Sequence, residues 1–139
     1  MEIGTVVDLY HKLDKHNLHL LNEVYHPEVV FEDSAHRLEG RRALCEYFQT
    51  LYANVTKCEF IIHEQQQVGD SGFITWSMEL QHPKLKSGQP ILVNGASHLK
   101  FSQEQVVYHR DYFDLGEMVY ENLPLLGVLV KAVKQRLGR

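Results

Sequence analysis

A carboxylate ends one apolar run of this sequence. The segment from Val29 to Asp33 predicts a hydrophobic strand, and Asp33 is its last residue, just ahead of a polar loop that ends at Gly40. A carboxylate at such a strand end can accept or release a proton if it opens onto a cavity. The same side chain could instead cap the turn that follows, with no chemical role. Asp33 is therefore a candidate general base with a structural alternative.

A second group of ionisable residues lies on a strand predicted from Gln105 to Asp114. Side chains alternate along a strand, so His109, Asp111 and Phe113 share one face. Neighbours on one face stand about 7 Å apart, which lets the imidazole and the carboxylate couple through water or a substrate rather than by a direct bond. If this face and Asp33 line one cavity, two acids and an imidazole meet there. We expect acid and base chemistry, or a binding pocket of the same shape.

Three more side chains could complete such a site. His36 follows Asp33 in the loop, where it could stand at the mouth of the cavity or simply in solvent. Trp76 lies on the same face of its predicted strand as several apolar residues, so it belongs either to the core or to the wall of a cavity. Tyr10 could donate a hydrogen bond to a ligand oxygen or only pack. The histidines show neither HxH nor HExxH spacing, so we expect no metal and no other cofactor.

Length and composition bound the type of protein. The chain has 139 residues, of which 44% are hydrophobic, and a formal net charge of -4. We therefore expect one domain, spanning residues 1–139, and no nucleic-acid partner. The two cysteines, Cys45 and Cys58, lack CxxC spacing, which indicates reduced thiols in a cytoplasmic protein. The N-terminus does not resemble a signal peptide, and no window is apolar enough to predict integral membrane association.

The apolar spacing predicts helices at both ends of the chain. The first begins at Val6, carries apolar residues up to Leu13 and stops near residues 15–17, and a short second one carries residues 18–25 and ends before Pro27. A third follows Gly40. The tail from Asn122 predicts an amphipathic helix that could cover an open end of the fold, pair with a second subunit, or lie on a membrane surface.

The middle of the chain predicts a sheet. Four segments of strand character are separated by short turn signals, so we expect antiparallel neighbours. These segments are Thr56 to Val68, Gly72 to His82, Ile91 to Phe101 and Gln105 to Asp114.

Three stretches resemble a known superfamily. The stretches from Val24 to Asp33, from Gly40 to Phe48 and from His109 to Asp114 are similar to the ketosteroid isomerase and SnoaL-like polyketide cyclase branch of the nuclear transport factor 2-like superfamily. The resemblance implies an α+β fold with a cone-shaped, curved and mainly antiparallel sheet, three N-terminal helices packed on it and a C-terminal helix. It also implies a small hydrophobic ligand and a homodimer. Outward apolar residues such as Ile61, Leu92 and Tyr112 fit such a dimer.

The resemblance also assigns expected roles to individual residues. Asp33 matches the general base of the isomerases, and Asp111 stands at about the place of the key acid of the cyclases. Isomerases hold the enolate with a tyrosine and a protonated acid; Leu9, with Tyr10 next to it, stands at the first position and Ser97 at the second.

Phe113 matches an aromatic residue that lines the isomerase pocket. The implied function is an enzyme acting on a small, mostly apolar carbonyl compound, as an isomerase or a cyclase, with His109 assisting proton return. Two alternatives remain open, a non-catalytic carrier of a hydrophobic ligand and a protein-interaction module.

Overall fold

The computed structural model describes residues 1–114 and 132–138. The first helix, α1 (Ile3–Lys12), places its buried residues at helical spacing, and these are Ile3, Val6, Val7 and Leu9. It packs mainly on the third strand of the fold, β3 (Lys57–Val68). The amphipathic pattern therefore fixes one side of the helix against the sheet.

The second predicted helix is shorter than expected. The chain forms a 3₁₀ turn (Leu18–Leu20) and one helical turn, α2 (Leu21–Val24), and then enters β1 (Tyr25–Glu32). The predicted strand start at Val29 was therefore wrong by four residues, and Asp33 lies one position beyond the strand. The error arose from Pro27, which disfavours a helix before it but is tolerated in a strand at an irregularity. Such an irregularity is present, because the β1–β6 register shifts between Tyr25 and Val30.

A hairpin strand and the longest helix follow. The short strand β2 (Arg37–Glu39) pairs antiparallel with the end of β1 and was not predicted, since three residues carry no periodic signal. Gly40 then adopts φ 92°, a conformation that favours glycine, and α3 (Arg41–Asn54) begins at the next residue. This helix packs on β1. It turns Leu44, Phe48 and Tyr52 into the core.

The remaining strands form the predicted antiparallel run. They are β3, β4 (Ser71–Gln81), β5 (Ile91–Ser102) and β6 (Gln105–Phe113), with a 3₁₀ turn (Lys86–Gly88) between β4 and β5. The six-stranded sheet has the order β2-β1-β6-β5-β4-β3. Only the β1–β6 pair is parallel among the described strands. The predicted α+β fold is confirmed: helices cover the inner face of a curved sheet that does not close.

The outer face of the sheet carries exposed apolar side chains. Ile61, Leu92 and Tyr112 are 50%, 55% and 54% exposed, as predicted, and Phe73 is also exposed. Residues 132–137 are helical, and the rest of the predicted tail helix lies outside the described residues. No helix in the described part of the chain is long and apolar enough to cross a membrane.

Candidate active site

A cavity of about 110 Å³ lies between the inner face of the sheet and the helices α1 and α3. Its walls are mainly aromatic and aliphatic side chains. The ionisable side chains among them include Asp33, His109 and Asp111, whereas no lysine or arginine of the described residues lines it. A cavity of this composition suits a small, mostly apolar ligand with one or two polar atoms.

His109 and Asp111 are in direct contact on β6. His109 Nε2 lies 2.6 Å from Asp111 Oδ1, and the imidazole is almost completely buried. The expectation that these two side chains would not bond directly was therefore wrong. The spacing of about 7 Å along a strand holds for the backbone, but two long side chains can lean together along the strand. The pair forms one hydrogen-bonded unit in the cavity wall.

A serine and the only tryptophan of the sequence extend the hydrogen bonding at the same oxygen of this carboxylate. Ser97 stands opposite Asp111 in the β5–β6 register and donates a hydrogen bond of 2.5 Å from Oγ to Oδ1. Trp76 Nε1 in turn donates to Ser97 Oγ at 2.9 Å. Oδ1 of Asp111 thus bonds to both Ser97 and His109. In residues 1–114 and 132–138, no group donates to Asp111 Oδ2.

Two tyrosines extend the network from the opposite ring nitrogen of His109. The Tyr25 hydroxyl lies 2.8 Å from His109 Nδ1, and the Tyr10 hydroxyl lies 2.6 Å from that of Tyr25. Tyr25 is fully buried, and burial raises the pKa of both phenols well above the ordinary value of tyrosine. Both side chains therefore stay protonated around neutral pH.

Tyr25 was not predicted as a site residue. The sequence assigned it to a helix end, whereas it begins β1 and points at β6. A tyrosine two residues ahead of Pro27 is the signal that could have indicated a strand start instead.

Asp33 has a different environment from Asp111. It is only 7% exposed. Its Oδ1 accepts hydrogen bonds from the backbone N–H groups of Ala35 (2.8 Å) and His36 (2.7 Å), and its Oδ2 accepts one from the Tyr47 hydroxyl (3.1 Å). The His36 imidazole adds a contact of 3.1 Å between Nδ1 and Oδ1. These are the contacts of a carboxylate that caps a turn.

Tyr47 lies between Asp33 and the aromatic part of the cavity. Burial raises the pKa of its phenol, and the adjacent Asp33 carboxylate raises it further. The hydroxyl is therefore a donor to Asp33 rather than a second base.

Trp76 and Phe113 form the wall next to the Ser97–Asp111 bond. Their ring centroids are 6.5 Å apart, and Trp76 lies directly over Gly95 of the neighbouring strand. A Cβ added to Gly95 would stand 2.5 Å from Trp76 Cη2 and 2.8 Å from the Tyr112 carbonyl oxygen. Only glycine gives the indole this position.

The structure brings most of the predicted site residues together. Seven of the eight line the cavity, and these are Tyr10, Asp33, Trp76, Ser97, His109, Asp111 and Phe113. His36 lies outside the lining, with about half of its side chain exposed, and contacts Asp33 from the loop side. Within the described residues, no group of three or more histidine, cysteine, aspartate or glutamate side chains is arranged to hold a metal ion.

Comparisons with known proteins agree with this fold. Three solved structures are similar over most of their length. An LEH-like epoxide hydrolase from M. tuberculosis is 19% identical, with 95% of each chain covered and a TM-score of 0.72. An NTF2-like protein of unknown function from Burkholderia pseudomallei is 14% identical, with 86% of this chain and 96% of that chain covered and a TM-score of 0.75. The third is a protein with a ketosteroid isomerase-like fold from Catenulispora acidiphila, solved in complex with trimethylamine. It is 18% identical, with 84% of this chain and 88% of that chain covered and a TM-score of 0.71.

These identities show the fold alone. Among curated proteins, none matches the chain significantly in sequence. The model of the SnoaL-like domain matches residues 6–109, which is most of the chain; the match includes His109 and ends two residues before Asp111. The chain therefore belongs to the SnoaL-like domain family.

Proposed function

We propose that this protein is an enzyme that moves a proton on a small hydrophobic carbonyl compound, in an isomerase or cyclase type of reaction, with Asp111 as the base. The observation that carries the proposal is the arrangement around this carboxylate. Ser97 and His109 both bond to Oδ1, so the carboxylate is held in one orientation while Oδ2 has no donor from the described residues. A positioned carboxylate with one free oxygen can abstract a proton next to a carbonyl group.

The cavity composition supports a carbonyl substrate with an apolar body. Aromatic rings from β1, α3, β4 and β6 contribute to its walls, and Tyr10 offers a hydroxyl that could contact a substrate oxygen. The resemblance to isomerases and cyclases points to the same class. The epoxide hydrolase among the solved structures is, by its name, an enzyme on the same fold.

Asp33 is the alternative base, but its hydrogen bonds argue against that role. Its carboxylate accepts two backbone hydrogen bonds and one from Tyr47, so proton uptake would disturb the turn after β1. We assign Asp33 to holding that turn and the cavity wall. His109 would assist the return of the proton.

A non-catalytic carrier of hydrophobic ligands is the second candidate. Ser97 occupies the place where the isomerases have a protonated acid, so that oxyanion donor is missing. A cavity that only binds would need the aromatic walls but not a base at Asp111. The two free thiols, Cys45 and Cys58, support a reducing compartment such as the cytoplasm for either candidate.

The two carboxylates can be separated by hydrogen–deuterium exchange. Cyclic ketones and polyketide-like compounds would be screened for protein-dependent exchange at the carbon next to the carbonyl, read by mass spectrometry. Asp111→Asn should lower the exchange rate by roughly two to four powers of ten, because an amide cannot take up the proton. Asp33→Asn should lower the melting temperature and leave the rate constant of exchange largely unchanged. Asp8→Asn, an exposed substitution of the same kind on α1, is the matched control.

The proposal fails if Asp111→Asn exchanges as fast as the unmodified protein. If no compound exchanges while Trp76→Ala abolishes ligand binding, the cavity is a binding pocket. If Asp33→Asn alone removes exchange from a folded protein, the base is the other carboxylate.

A further inference from the structure

The hydrogen bonds from Asp111 through His109 and Tyr25 to Tyr10 form one chain. The direction of each hydrogen bond in it determines the direction of the next. If His109 is neutral and donates from Nε2 to Asp111, its Nδ1 has no hydrogen and must accept one from Tyr25. The Tyr25 oxygen is then free to accept from Tyr10, 2.6 Å away. In this state the single hydroxyl hydrogen of Tyr10 is used inside the protein. Tyr10 can offer only lone pairs to a ligand.

Protonation of His109 reverses this order. An imidazolium donates from both nitrogens, so Nδ1 donates to the Tyr25 oxygen. Tyr25 must then turn its own hydrogen towards Tyr10, and the hydrogen of Tyr10 becomes available to a ligand oxygen. The three heavy-atom distances, 2.6, 2.8 and 2.6 Å, suit either direction. The direction is thus set by one proton on one ring.

We propose that His109 is the acid of this site and acts through Tyr25 and Tyr10. Tyr10 donates to the substrate oxygen only when His109 is protonated, and Tyr25 is the relay and positioning residue between them. The inference rests on the proposed function, since it assigns the acid that complements the base. It also makes Tyr10 a replacement for the oxyanion donor that Ser97 does not provide.

The protons balance in a proton-transfer cycle. Asp111 Oδ2 takes the proton of the carbon–hydrogen bond, and the electron pair of that bond moves to form the enolate. Tyr10 gives its proton to the enolate oxygen, Tyr25 gives its proton to Tyr10, and His109 gives its Nδ1 proton to Tyr25. The imidazole ends neutral with Nε2 still donating to Asp111, which is the first state of the chain. Return of the proton from Asp111 to another carbon runs the relay backwards.

The surroundings of His109 favour this role. On β6 it bonds to Asp111, and on β5 it stands opposite Leu99, while Ser97 bonds to the same oxygen of Asp111. The neighbours from β1 are Phe31, with a ring centroid 4.8 Å away, and Tyr25.

The other elements add few charges near the ring. α1 contributes Tyr10, whose ring centroid is 6.1 Å from that of His109. Asp33 from the end of β1 and Tyr47 from α3 line the same cavity, bonded to each other. No lysine or arginine of the described residues shares the lining, so carboxylates are the charges that face the imidazole. Both relay phenols resist ionisation because they are buried.

Ligand binding tests the relay without turnover. The probe is cyclohex-2-enone, whose oxygen can only accept, and cyclohexene is the analogue without oxygen. Dissociation constants would be measured by NMR titration across the pH range in which the ¹⁵N signals of the His109 ring report its protonation. A His109→Asn variant assigns those signals. Tyr25→Phe cuts the relay, and Tyr108→Phe on the outer face of the sheet is the matched control.

The ketone should bind roughly five- to tenfold more tightly as pH falls through the titration of His109, the effect of about one hydrogen bond. Cyclohexene should show no such change. In Tyr25→Phe, His109 should still titrate while ketone affinity stays constant; Tyr108→Phe should behave as the unmodified protein. Tyr10→Phe should lose the same pH dependence, and it decides the question if Tyr25→Phe does not fold.

The relay is refuted if ketone affinity does not follow the titration of His109, or if Tyr25→Phe keeps the original pH dependence. The two proposals can fail separately. If ketone affinity changes with the protonation of His109 but no protein-dependent exchange occurs at the adjacent carbon, the proposed enzymatic function is refuted and the relay stands. If exchange requires Asp111 but ketone affinity does not depend on the protonation of His109, only the relay is refuted. Absence of ketone binding at every pH would refute both.

Discussion

The contact between Gly95 and the indole of Trp76 gives a sharp test of how the site is built. In Gly95→Ala the new methyl group would stand 2.5 and 2.6 Å from Cη2 and Cζ2 of Trp76, and 2.8 Å from the Tyr112 carbonyl oxygen. Separations below 3.0 Å cannot persist, so the indole must move. Its movement would weaken the 2.9 Å hydrogen bond to Ser97, which holds Asp111.

The expected loss of stability follows from this overlap. Forcing one carbon into a packed core typically costs about 1 to 3 kcal/mol. For a chain of this length that corresponds to a fall in Tm of roughly 3 to 12 °C. Gly4→Ala is the control, because the nearest atom to its added methyl is 3.9 Å away and alanine favours a helix. We expect Gly4→Ala to be neutral or slightly stabilising.

Fluorescence makes the movement visible, because Trp76 is the only tryptophan in the chain. Its emission should shift in Gly95→Ala and not in Gly4→Ala, alongside unfolding curves for each variant. A double-mutant cycle with Trp76→Phe separates the two clashes. Phenylalanine lacks the atoms that overlap, so the cost of Gly95→Ala should fall in that background, leaving the part due to the Tyr112 carbonyl.

Two results would contradict this reasoning. One is a Gly95→Ala protein with unchanged stability and emission. The other is an equal cost of Gly95→Ala with tryptophan or phenylalanine at position 76, which would place the strain in the backbone alone.

Two further predictions concern the thiols and the assembly. Burial raises the pKa of the Cys58 thiol to about 11, so iodoacetamide should modify it slowly near neutral pH and faster as pH rises towards that value. Denatured protein should lose this delay, and a folded protein whose Cys58 reacts like a free thiol at about pH 8 would contradict it. We also expect a homodimer through the exposed residues Ile61, Leu92 and Tyr112. Sedimentation at micromolar concentration should give about twice the chain mass of 16.2 kDa, and Tyr112→Glu should shift it to the monomer; a species of 16.2 kDa alone would exclude the dimer.

The sequence carried enough signal for the architecture because long strands have a clear period. The alternation in residues 57–113 fixed four strands and placed His109 and Asp111 on one face, as the structure has them. The short strand β2 was missed because three residues have no measurable period. The predicted start of β1 near Pro27 was wrong because a proline indicates that a helix ends before it but not whether a strand or a loop follows.

The sequence predicted which residues line the cavity but not which hydrogen bonds they form. Parity and resemblance identified seven residues that line the cavity. Hydrogen bonds depend on side-chain direction, which parity does not give, so the direct His109–Asp111 bond was not foreseen. Tyr25 was missed because its partner is 84 residues away, a distance over which spacing has no information.

The parallel pairing of β1 with β6 has a consequence for the order of folding. The antiparallel strands β3 to β6 each pair with the next strand in the chain and can form one after another as the chain emerges. The bond between Tyr25 and His109 instead closes a loop over 84 residues, and its entropy cost is offset only once the whole sheet is present. A chain that stops before β6 lacks both Asp111 and the partner of Tyr25, so it has no half-formed site. A ligand bound as we propose would require β6 to be in place, so its affinity would report a completed sheet.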